Sequence, residues 1–488
     1  MSPVSVSPDL VKNTSPLVAG VWSTTSQAFD VHNPFTGELL TQVHSASGLD
    51  ARDALSAAHA ISPSWGHTAP EQRSALLSTL HQLTLENSER LARIITLENG
   101  KPLTEARAEV EYAAGYLSWF AHEALRIPGD ARRAPGGHRQ LVFHEPVGPS
   151  LLITPWNFPL AMATRKVAPA FAAGNVVLIK PSSATPLTIL AWAELVIAAL
   201  DSLDLPRSIV SILPSDNAAA LSTALLSDAR LRKLSFTGST SVGAKLLAQA
   251  APIVARTSME LGGNAPFIVH DDADLDAAVT GAMAAKMRAS GQTCVAANRF
   301  YVHHEVAHEF MRKLAIALDS LTAGDPLIEG TTLGPLINAN EAQRIESLVS
   351  QALHTGDAHL FYERSLNPNL PASFSPPRIL SRVKHHASIV TDEIFGPVIP
   401  VMTYTDINEC ITQANDTPYG LVAYAYTNSQ SIAWRLVDGL EAGMVAINRG
   451  VISDPTAPFG GIKSSGLGRE GGHEGIMDYL TTKYVAWQ

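Results

Sequence analysis

The stretch KLSFTGSTSVG, residues 233–243, runs from an apolar strand into the start of a helix through a turn of small residues. Phe236 ends the apolar part, and Gly238 and Ser239 lie in the turn. Backbone amides at such a turn can hold a pyrophosphate together with the N-terminus of the following helix. The stretch therefore predicts either a dinucleotide-binding element of an α/β fold or a plain connection between strand and helix.

Similar apolar strands alternate with helices along the rest of the chain. The strands are predicted at 151–153, 175–179, 209–212 and 233–236, with a second series at 266–269, 300–302 and 444–447. This alternation predicts parallel sheets covered by helices on both faces, with a domain boundary near residue 262. Upstream, the spacing of apolar residues predicts helices at 49–62, from Pro70 and at 103–124. Residues 132–148 fit either a loop or a projecting hairpin.

Composition excludes several classes of protein. A chain of 488 residues with 46% apolar content can bury a large core and should form about three domains. Two cysteines cannot build a disulfide framework, so we expect a reducing compartment, the cytoplasm. A net charge of −10 argues against a nucleic-acid surface. The chain should be soluble, with no membrane partner, since prolines interrupt its longest uncharged stretch, 146–164.

A thiol and a carboxylate in small-residue surroundings carry the strongest chemical signal. Cys294 ends the stretch ASGQTC, residues 289–294, and Glu260 begins ELGGN, residues 260–264. Such a pair indicates nucleophilic chemistry on a carbonyl carbon. The other cysteine, Cys410, has no such surroundings and should be structural.

A cation at the end of a predicted strand favours a nicotinamide dinucleotide cofactor. Lys180 ends the strand at 175–179 and is followed by Pro181, Ser182 and Ser183. Open parallel sheets bind ligands at the carboxyl ends of their strands. A carboxylate near the adenosine ribose would repel a 2′-phosphate, and Ser183 offers a neutral hydroxyl instead, so we expect NADP in preference to NAD. The alternative is a solvated loop lysine.

Two further motifs match known sites but have simpler explanations. The stretch HEVAH, residues 304–308, fits a zinc-peptidase helix with Glu329 as a third ligand, or a surface helix in a chain with 17 histidines. A zinc hydrolase stays open as the alternative from another class, although we expect no metal. The stretch GLGREG, residues 466–471, fits a dinucleotide fingerprint, but only 17 residues follow it, so we interpret it as a turn.

Six motifs in a fixed order identify the chain with a known family. They are TPWNFP (154–159), FTGSTSVG (236–243), ELGGN (260–264), GQTC (291–294), EIFGP (393–397) and PFGGIK (458–463). From about Val31 to Val485 the chain resembles the aldehyde dehydrogenase superfamily, with succinate-semialdehyde dehydrogenases most similar. The resemblance implies an aldehyde dehydrogenase-like α/β fold with three parts. These are a Rossmann-like dinucleotide-binding domain (21–130 and 148–262), an α/β catalytic domain (263–465) and a small β oligomerisation arm (131–147 and 466–488). We expect a homodimer or homotetramer, and residues 1–20 as a disordered tail.

The resemblance also implies a mechanism. Cys294 matches the nucleophile that forms a thiohemiacetal, and the side-chain amide of Asn157 with the backbone amide of Cys294 matches the oxyanion donors. Hydride transfer to the nicotinamide leaves a thioester, which water activated by Glu260 hydrolyses. Lys166 and Glu470 match positions implicated in proton relay. Because Glu260 supplies a hydrolytic base, acyl transfer to coenzyme A is disfavoured, and the catalytic set argues against a silent protein on this fold.

The same resemblance implies which residues bind the cofactor. They are Pro155 and Trp156 at the pyrophosphate, Lys180, Ser182 and Ser183 near the adenosine ribose, Gly238 and Ser239 at phosphate, Leu261 nearby, and Glu393 and Phe395 at the nicotinamide ribose. One departure lies close to the adenine, where Ser215 takes the place of a usual glycine.

Substrate choice depends on two arginines. Arg165, Arg288 and Ser453 fall where succinate-semialdehyde dehydrogenases bind the distal carboxylate of the substrate. Two guanidinium groups beside a thiol are costly to bury without an anion, so an acidic aldehyde explains them. The alternatives are structural ion pairs with broad aldehyde specificity, or another acidic aldehyde such as glutarate semialdehyde. Ala296 removes a cysteine that some relatives use in redox regulation, and Arg449 adds a charge near the expected substrate entrance.

Overall fold

The computed structural model describes residues 10–25 and 27–488, and within them the chain alternates between strands and helices. The strands are β1 (Leu17–Val18), β2 (Val21–Trp22), β3 (Ala28–His32), β4 (Leu39–His44), β5 (Asp130–Arg133), β6 (Arg139–Pro146), β7 (Ser150–Ile153), β8 (Val177–Lys180), β9 (Val210–Ile212), β10 (Lys233–Thr237), β11 (Arg256–Glu260), β12 (Ala265–Val269), β13 (Ala297–His303), β14 (His359–Glu363), β15 (Arg378–Ser381), β16 (Val398–Tyr404), β17 (Tyr419–Gly420), β18 (Val422–Tyr426), β19 (Met444–Ile447), β20 (Ile462–Lys463), β21 (Gly466–Leu467) and β22 (Leu480–Trp487). The helices are α1 (Gly48–Gly66), α2 (Pro70–Glu86), α3 (Ser88–Asn99), α4 (Leu103–Glu123), α5 (Pro159–Ala172), α6 (Leu187–Ser202), α7 (Ala218–Leu226), α8 (Thr240–Ala250), α9 (Leu275–Lys286), α10 (Ala307–Asp319), α11 (Ala339–His354), α12 (Ser388–Thr391), α13 (Ile407–Asn415), α14 (Gln430–Gly439) and α15 (Glu474–Met477).

The first large sheet has the strand order β2-β1-β9-β8-β7-β10-β11-β21. Its five central strands, β9-β8-β7-β10-β11, are parallel, so their carboxyl ends meet at one edge. Apart from Arg256 and Thr257 at the start of β11, all residues of these strands are buried, the polar ones included, as expected for strands covered on both faces. Helices α5, α6 and α8 pack against this sheet. The predicted strands of the first series are confirmed.

The second large sheet has the order β14-β15-β16-β13-β12-β18-β19 and is parallel apart from the pair β14–β15. Its predicted strands are also confirmed. The chain passes from one sheet to the other between Glu260, which ends β11, and Ala265, which begins β12. Residues 261–264 therefore lie where the two sheets approach each other.

A third sheet of order β22-β6-β5 is antiparallel. Residues 132–148 were predicted as either a loop or a projecting hairpin, and the structure shows the hairpin, formed by β5 and β6. The C-terminal strand β22 pairs with β6. Of the residues assigned to the arm, 466–467 form β21 instead, which pairs with β11 at the edge of the first sheet. Phe143, Tyr484 and Trp487 on the three-stranded sheet are all about half exposed or more.

The N-terminal region departs from prediction in two ways. The predicted tail is wrong for residues 10–20, because Leu17 is fully buried and pairs with Ile212 of the first sheet. The rest of that predicted tail, residues 1–9, lies outside the described residues. Strands β1 to β4 and helix α3 were not predicted, whereas helices α1, α2 and α4 confirm the apolar spacing.

The HEVAH stretch is not a continuous helix. His303 ends β13, residues 304–306 form a turn, and α10 begins at Ala307. His304 and His308 therefore do not lie one turn apart on one helix, which removes the geometry that the zinc-peptidase interpretation needs. Over the described residues, every helix is too short or too polar to cross a membrane.

Candidate active site

A cavity of about 310 Å³ lies between the two large sheets and brings together residues that are far apart in the sequence. It is lined by Tyr112, Pro155, Trp156, Asn157, Phe158, Met162, Arg165, Thr237, Gly238, Ser239, Leu261, Gly262, Arg288, Thr293, Cys294, Val295, Glu341, Arg344, Glu393, Phe395, Ser453 and Phe459. The predicted nucleophile, one predicted oxyanion donor, all three predicted substrate residues and most of the predicted cofactor residues therefore share one cavity.

Cys294 is half-buried on a loop that its neighbours hold firmly. Ala289, Ser290 and Gly291 adopt positive φ in succession, at 48°, 56° and 82°. A Cβ on Gly291 would lie 2.4 Å from the backbone oxygen of Gly396, so only glycine fits there. The side chain of Gln292 braces the loop, since it donates to the Ala289 oxygen and accepts from the Ile337 amide. Strain of this kind persists only where surrounding contacts fix it.

The thiol is not activated by its surroundings alone. Burial raises the pKa of Cys294 to about 12, and the nearby carboxylates of Glu260 and Glu393 oppose ionisation, while Arg165 and Arg288 favour it. The attacking thiolate therefore needs a base or an additional positive charge.

Asn157 is held at the start of α5 by a buried ion pair that sequence reasoning missed. Its Nδ2 donates to the Gln292 oxygen at 3.0 Å. Lys101 donates from Nζ to the backbone oxygen of Asn157 at 2.8 Å and to the Glu109 carboxylate at 2.5 Å. The second oxygen of Glu109 accepts from the backbone amide of Leu160, at 2.9 Å, in the first turn of α5. Helices α3 and α4 thereby position the loop that presents Asn157.

Glu260 faces away from the cavity. It is buried and does not line the cavity, one oxygen lies near Gly460, and Oε2 has no hydrogen-bond partner within residues 10–25 and 27–488. Burial and the negative charge of Glu470 raise the pKa of Glu260 well above its usual range, against the opposing effect of Arg165 and Lys166. In this conformation Glu260 lies behind the cavity wall, in surroundings that favour its protonated form.

Lys166 and Glu470, the predicted relay pair, lie in the same buried cluster. Lys166 Nζ is 2.5 Å from Glu470 Oε1 and 3.0 Å from Ser235 Oγ. Arg165 Nε lies 2.6 Å from Glu470 Oε2, close enough for an ion pair, although the angles do not favour a hydrogen bond. Burial alone would raise the pKa of Glu470, but the positive charges of Lys166 and Arg165 hold that pKa below its usual range. The cluster does not line the cavity except through Arg165.

The two predicted substrate arginines have different surroundings. Arg165 is almost fully buried, pairs with Glu470 and stacks on Phe459, with its Cζ 4.1 Å from the ring centroid. Arg288 is half-buried, and its Cζ lies 5.7 Å from the Phe158 ring centroid. No carboxylate of the described chain lies within 4.0 Å of the Arg288 guanidinium group, which leaves it free to pair with an anion.

Apolar and aromatic walls complete the cavity and were not assigned from the sequence. Tyr112 hydrogen-bonds to Tyr116 at 2.5 Å, one helical turn away on α4. Phe158, Met162 and Phe459 form the other walls. Phe158 and Phe459 lie inside two of the recognised motifs, so their positions were visible, but nothing in the sequence shows that they face Cys294.

A cleft at the carboxyl edge of the first sheet has the features of a dinucleotide site. Ser239 precedes the first residue of α8, and Gly238 lies beside it, so the free amides at that helix start are available to a phosphate. Trp156 and Phe395 meet edge to face across the cavity, with ring centroids 5.5 Å apart. Glu393 Oε1 accepts from the Gly263 amide at 3.4 Å, and burial raises the pKa of Glu393 to about 7.

The adenosine end of the cleft carries the predicted cation. Lys180 ends β8 next to Ile153 of β7, and burial lowers its pKa to about 8. Lys180 has no carboxylate within 4.0 Å among the residues the structure describes, and Ser183 is exposed beside it. Ser182 accepts from the Ala184 amide at 3.2 Å. A buried cation without a counterion and a free helix start fit the phosphates of a dinucleotide.

Ser215 points into the protein. It is buried, and its Oγ lies 3.3 Å from Ser45 Oγ and accepts from the Asn217 amide at 3.2 Å. Arg449 is exposed and does not line the cavity.

Comparisons with known proteins agree with this site. The family model for the aldehyde dehydrogenase family matches residues 22–485. The chain is 48% identical to a succinate-semialdehyde dehydrogenase of Paenarthrobacter nicotinovorans, over 92% of this chain and 98% of the relative. It is 44% identical to the NADP(+) succinate-semialdehyde dehydrogenase of Escherichia coli and 43% identical to a glutarate-semialdehyde dehydrogenase of Pseudomonas putida, each over 96% of both chains. The crystal structure of succinate-semialdehyde dehydrogenase from Burkholderia pseudomallei is similar with a TM-score of 0.95 and 43% identity, covering 99% of both chains.

Proposed function

Because the chain belongs to the aldehyde dehydrogenase family, we propose that it oxidises succinate semialdehyde to succinate, with NADP as its preferred cofactor. The observation that carries the choice of an acidic aldehyde is Arg288, a cation in the cavity of Cys294 without a carboxylate partner in the described chain. Ser453 lines the same cavity and adds a hydroxyl donor. A carboxylate on the substrate would supply the missing anion.

The chemistry begins at Cys294. Its thiolate adds to the aldehyde carbon, and the resulting oxyanion accepts hydrogen bonds from Asn157 Nδ2 and the Cys294 amide. A bound nicotinamide supplies the hydride acceptor, and loss of hydride from the thiohemiacetal leaves a thioester on the sulfur. Glu260 then takes a proton from water, whose oxygen attacks the thioester carbon, so that the acid is released and the thiolate is regenerated.

Glu260 has to change its conformation between these steps. In its present position burial and the charge of Glu470 favour its protonated form and it does not line the cavity, whereas a general base has to be ionised and within hydrogen-bond reach of the water. Rotation of its side chain into the cavity would lower its pKa, because the carboxyl group would be less buried and the repulsion from Glu470 weakens with distance. Lys166 and Glu470 behind it offer a route by which a proton can leave.

The cofactor roles follow the position of each group in the cleft. Gly238 and Ser239 would hold phosphate at the start of α8, Pro155 and Trp156 would face the pyrophosphate, and Lys180 with Ser182 and Ser183 would bind the adenosine ribose and its 2′-phosphate. Leu261, Glu393 and Phe395 line the end nearer Cys294, where the nicotinamide ribose would lie. The NADP-linked relative from Escherichia coli supports this preference.

The three-stranded sheet of β5, β6 and β22 supports a further part of the proposal. Its exposed Phe143, Tyr484 and Trp487 would be covered if the sheet joined a second copy of the chain. We propose a homodimer or homotetramer in the cytoplasm, where Cys294 would stay reduced. Light scattering of the purified protein checks the assembly, and a monomeric mass would contradict it.

Steady-state kinetics with paired aldehydes test the substrate assignment. Succinate semialdehyde is compared with butanal, an uncharged aldehyde of the same length, in wild-type protein and in Arg288→Ala. Truncating one partner of a buried charge pair costs about 2 kcal/mol or more, so kcat/KM for succinate semialdehyde should fall about 30-fold or more. Butanal should be affected far less. Arg449→Ala, which removes an exposed arginine outside the cavity, is the matched control.

Three outcomes would overturn or change the substrate assignment. Equal losses on both aldehydes in Arg288→Ala would mean that the arginine is structural and that the enzyme has broad specificity. A higher kcat/KM for glutarate semialdehyde than for succinate semialdehyde would move the assignment to the longer substrate, which the relative from Pseudomonas putida carries in its name. Loss of aldehyde oxidation after treatment with a chelator, with no change in the thermal midpoint of the protein, would instead favour metal-dependent chemistry.

A further inference from the structure

A second group of reactive side chains lies at the carboxyl ends of β12 and β13, far from the cavity. Cys294 precedes the amino end of β13, whereas His303 is its last residue. A strand of this length separates the two places by about 20 Å. On the neighbouring strand, β12 ends at Val269, and His270 and Asp271 follow directly.

Three donor groups converge there. One ligand atom from each of Asp271, His303 and Glu305 lies within 4.8 Å of the other two. The backbone fixes these positions, because His270 donates its amide to the Tyr426 oxygen at 3.0 Å and the Val306 amide donates to the His303 oxygen at 3.1 Å. The carboxyl edge of a parallel sheet thus presents an imidazole and two carboxylates to one point in space.

His303 is the second, independent sign of a ligand. Its residue is only 7% exposed, yet Nδ1 has no hydrogen-bond partner in the chain as far as the structure describes it. The His270 ring stacks on it at 5.7 Å and the Tyr404 ring meets it edge-on at 5.4 Å, so the imidazole is held in place by packing. A buried nitrogen without a partner is costly unless something outside the protein satisfies it.

The two carboxylates also lack a cationic partner. Asp271 contacts the His270 ring, and Glu305 makes no ion pair among the described residues. Neither carboxylate has a lysine or arginine within 4.0 Å over that same part of the chain. A cation would relieve the repulsion between them and satisfy the imidazole at the same time.

We propose that Asp271, His303 and Glu305 bind one Zn²⁺ ion that links the ends of β12 and β13 and stabilises the catalytic domain. One imidazole and two carboxylates, with water completing a tetrahedron, are ligands that zinc accepts. Zinc–ligand bonds of about 2.0–2.2 Å require the donor atoms to approach each other to about 3.3 Å. Asp271 and Glu305 are exposed and lie outside the strands, so their side chains can move that far.

This site shares Glu305 with the HEVAH stretch but is a different site. His304 and His308 are exposed and are not among its ligands, which come from the end of β13 and from the segments that follow β12 and β13 rather than from one helix. Its role is structural, because the site lies at the opposite end of β13 from the thiol.

Titration calorimetry with Zn²⁺ on chelator-treated, full-length protein tests the proposal. The titration uses the Cys294→Ser background, so that the active-site thiol cannot compete for the metal. We expect one ion per chain and a higher thermal midpoint when the ion is bound. Asp271→Asn and Glu305→Gln, both exposed and nearly isosteric, should each weaken binding by about tenfold or more and abolish the thermal shift.

His308→Ala is the matched control and should bind zinc as the parent does. The proposal is wrong if no saturable binding is seen, if the Asp271 and Glu305 variants bind as tightly as the parent, or if the control variant loses binding to the same extent as they do. Co²⁺ gives a spectroscopic check, since a tetrahedral site produces a visible absorption band that the Glu305 variant should lack.

Discussion

Lys101 should control catalysis although it does not line the cavity. Its Nζ bridges the backbone oxygen of Asn157 and the Glu109 carboxylate, and both side chains of the ion pair are buried. Lys101→Met removes the cation and leaves Glu109 with only the amides at the start of α5. Losing one partner of a buried pair costs about 3–5 kcal/mol of unfolding free energy.

The effect on rate can be separated from the effect on stability. Deleting one oxyanion donor lowers kcat by about 10²–10³-fold, and Lys101→Met displaces Asn157 without deleting it, so we expect a loss of about 10–100-fold. KM should change little, because Lys101 and Glu109 do not line the cavity. The double variant Lys101→Met with Glu109→Gln removes both charges and should recover much of the stability, since no unpaired charge stays buried.

The assay combines steady-state kinetics with chemical unfolding of the wild type, the single variant and the double variant. If Lys101 positions Asn157, kcat stays low in the double variant even where stability returns. A double variant that recovers both stability and kcat would refute the reasoning, because the ion pair would then be purely structural.

Three further predictions concern the thiol, the cofactor and the loop. Because burial raises the pKa of Cys294 to about 12, its alkylation by iodoacetamide in cofactor-free protein should keep accelerating about tenfold per pH unit from pH 7 to 9; a plateau in that range would contradict this. Ser183→Glu should lower the ratio of kcat/KM for NADP over NAD by about tenfold or more, since a carboxylate repels the 2′-phosphate, and an unaltered ratio would remove Ser183 from the site. Gly291→Ala should lower kcat by about a hundredfold, because its Cβ would collide with the Gly396 oxygen and shift the thiol, whereas Gly356→Ala, at a positive φ with nothing within 4 Å, should keep wild-type kcat.

Regular alternation of strands and helices made most of the fold predictable. Strands such as β10 and β13 are short apolar runs with clear ends, and their burial in parallel sheets follows from that pattern. The two-residue strand β1 has no periodicity to detect, and it is ordered only because Leu17 fits against Ile212, nearly 200 positions later. Long-range pairing of this kind decides such segments, and local sequence does not carry it.

In the candidate site, too, local motifs predicted part of the arrangement and long-range contacts decided the rest. Motifs indicated which residues reach the cavity, and Cys294, Asn157 and Arg288 all line it. The direction of Glu260 could not be predicted, because it depends on Glu470, which is distant in sequence and adjacent in space. The same holds for Lys101, whose bond to the Asn157 oxygen joins α3 and α4 to the loop before α5.

Arg165 shows how a structural ion pair and an acidic substrate are compatible. The sequence left two interpretations open, a carboxylate ligand or a structural pair, and Arg165 does form an ion pair with Glu470. Glu470, however, also accepts Lys166, so one carboxylate lies between two cations. Because the surroundings of Glu260 favour its protonated form, the buried cluster does not neutralise the positive charge of Arg288, which has no carboxylate within 4.0 Å in the described part of the chain. We therefore expect the cavity to keep a positive potential during acylation, which favours an aldehyde bearing a carboxylate. When Glu260 ionises for hydrolysis, the cavity should lose part of this positive potential, which favours release of the doubly charged product.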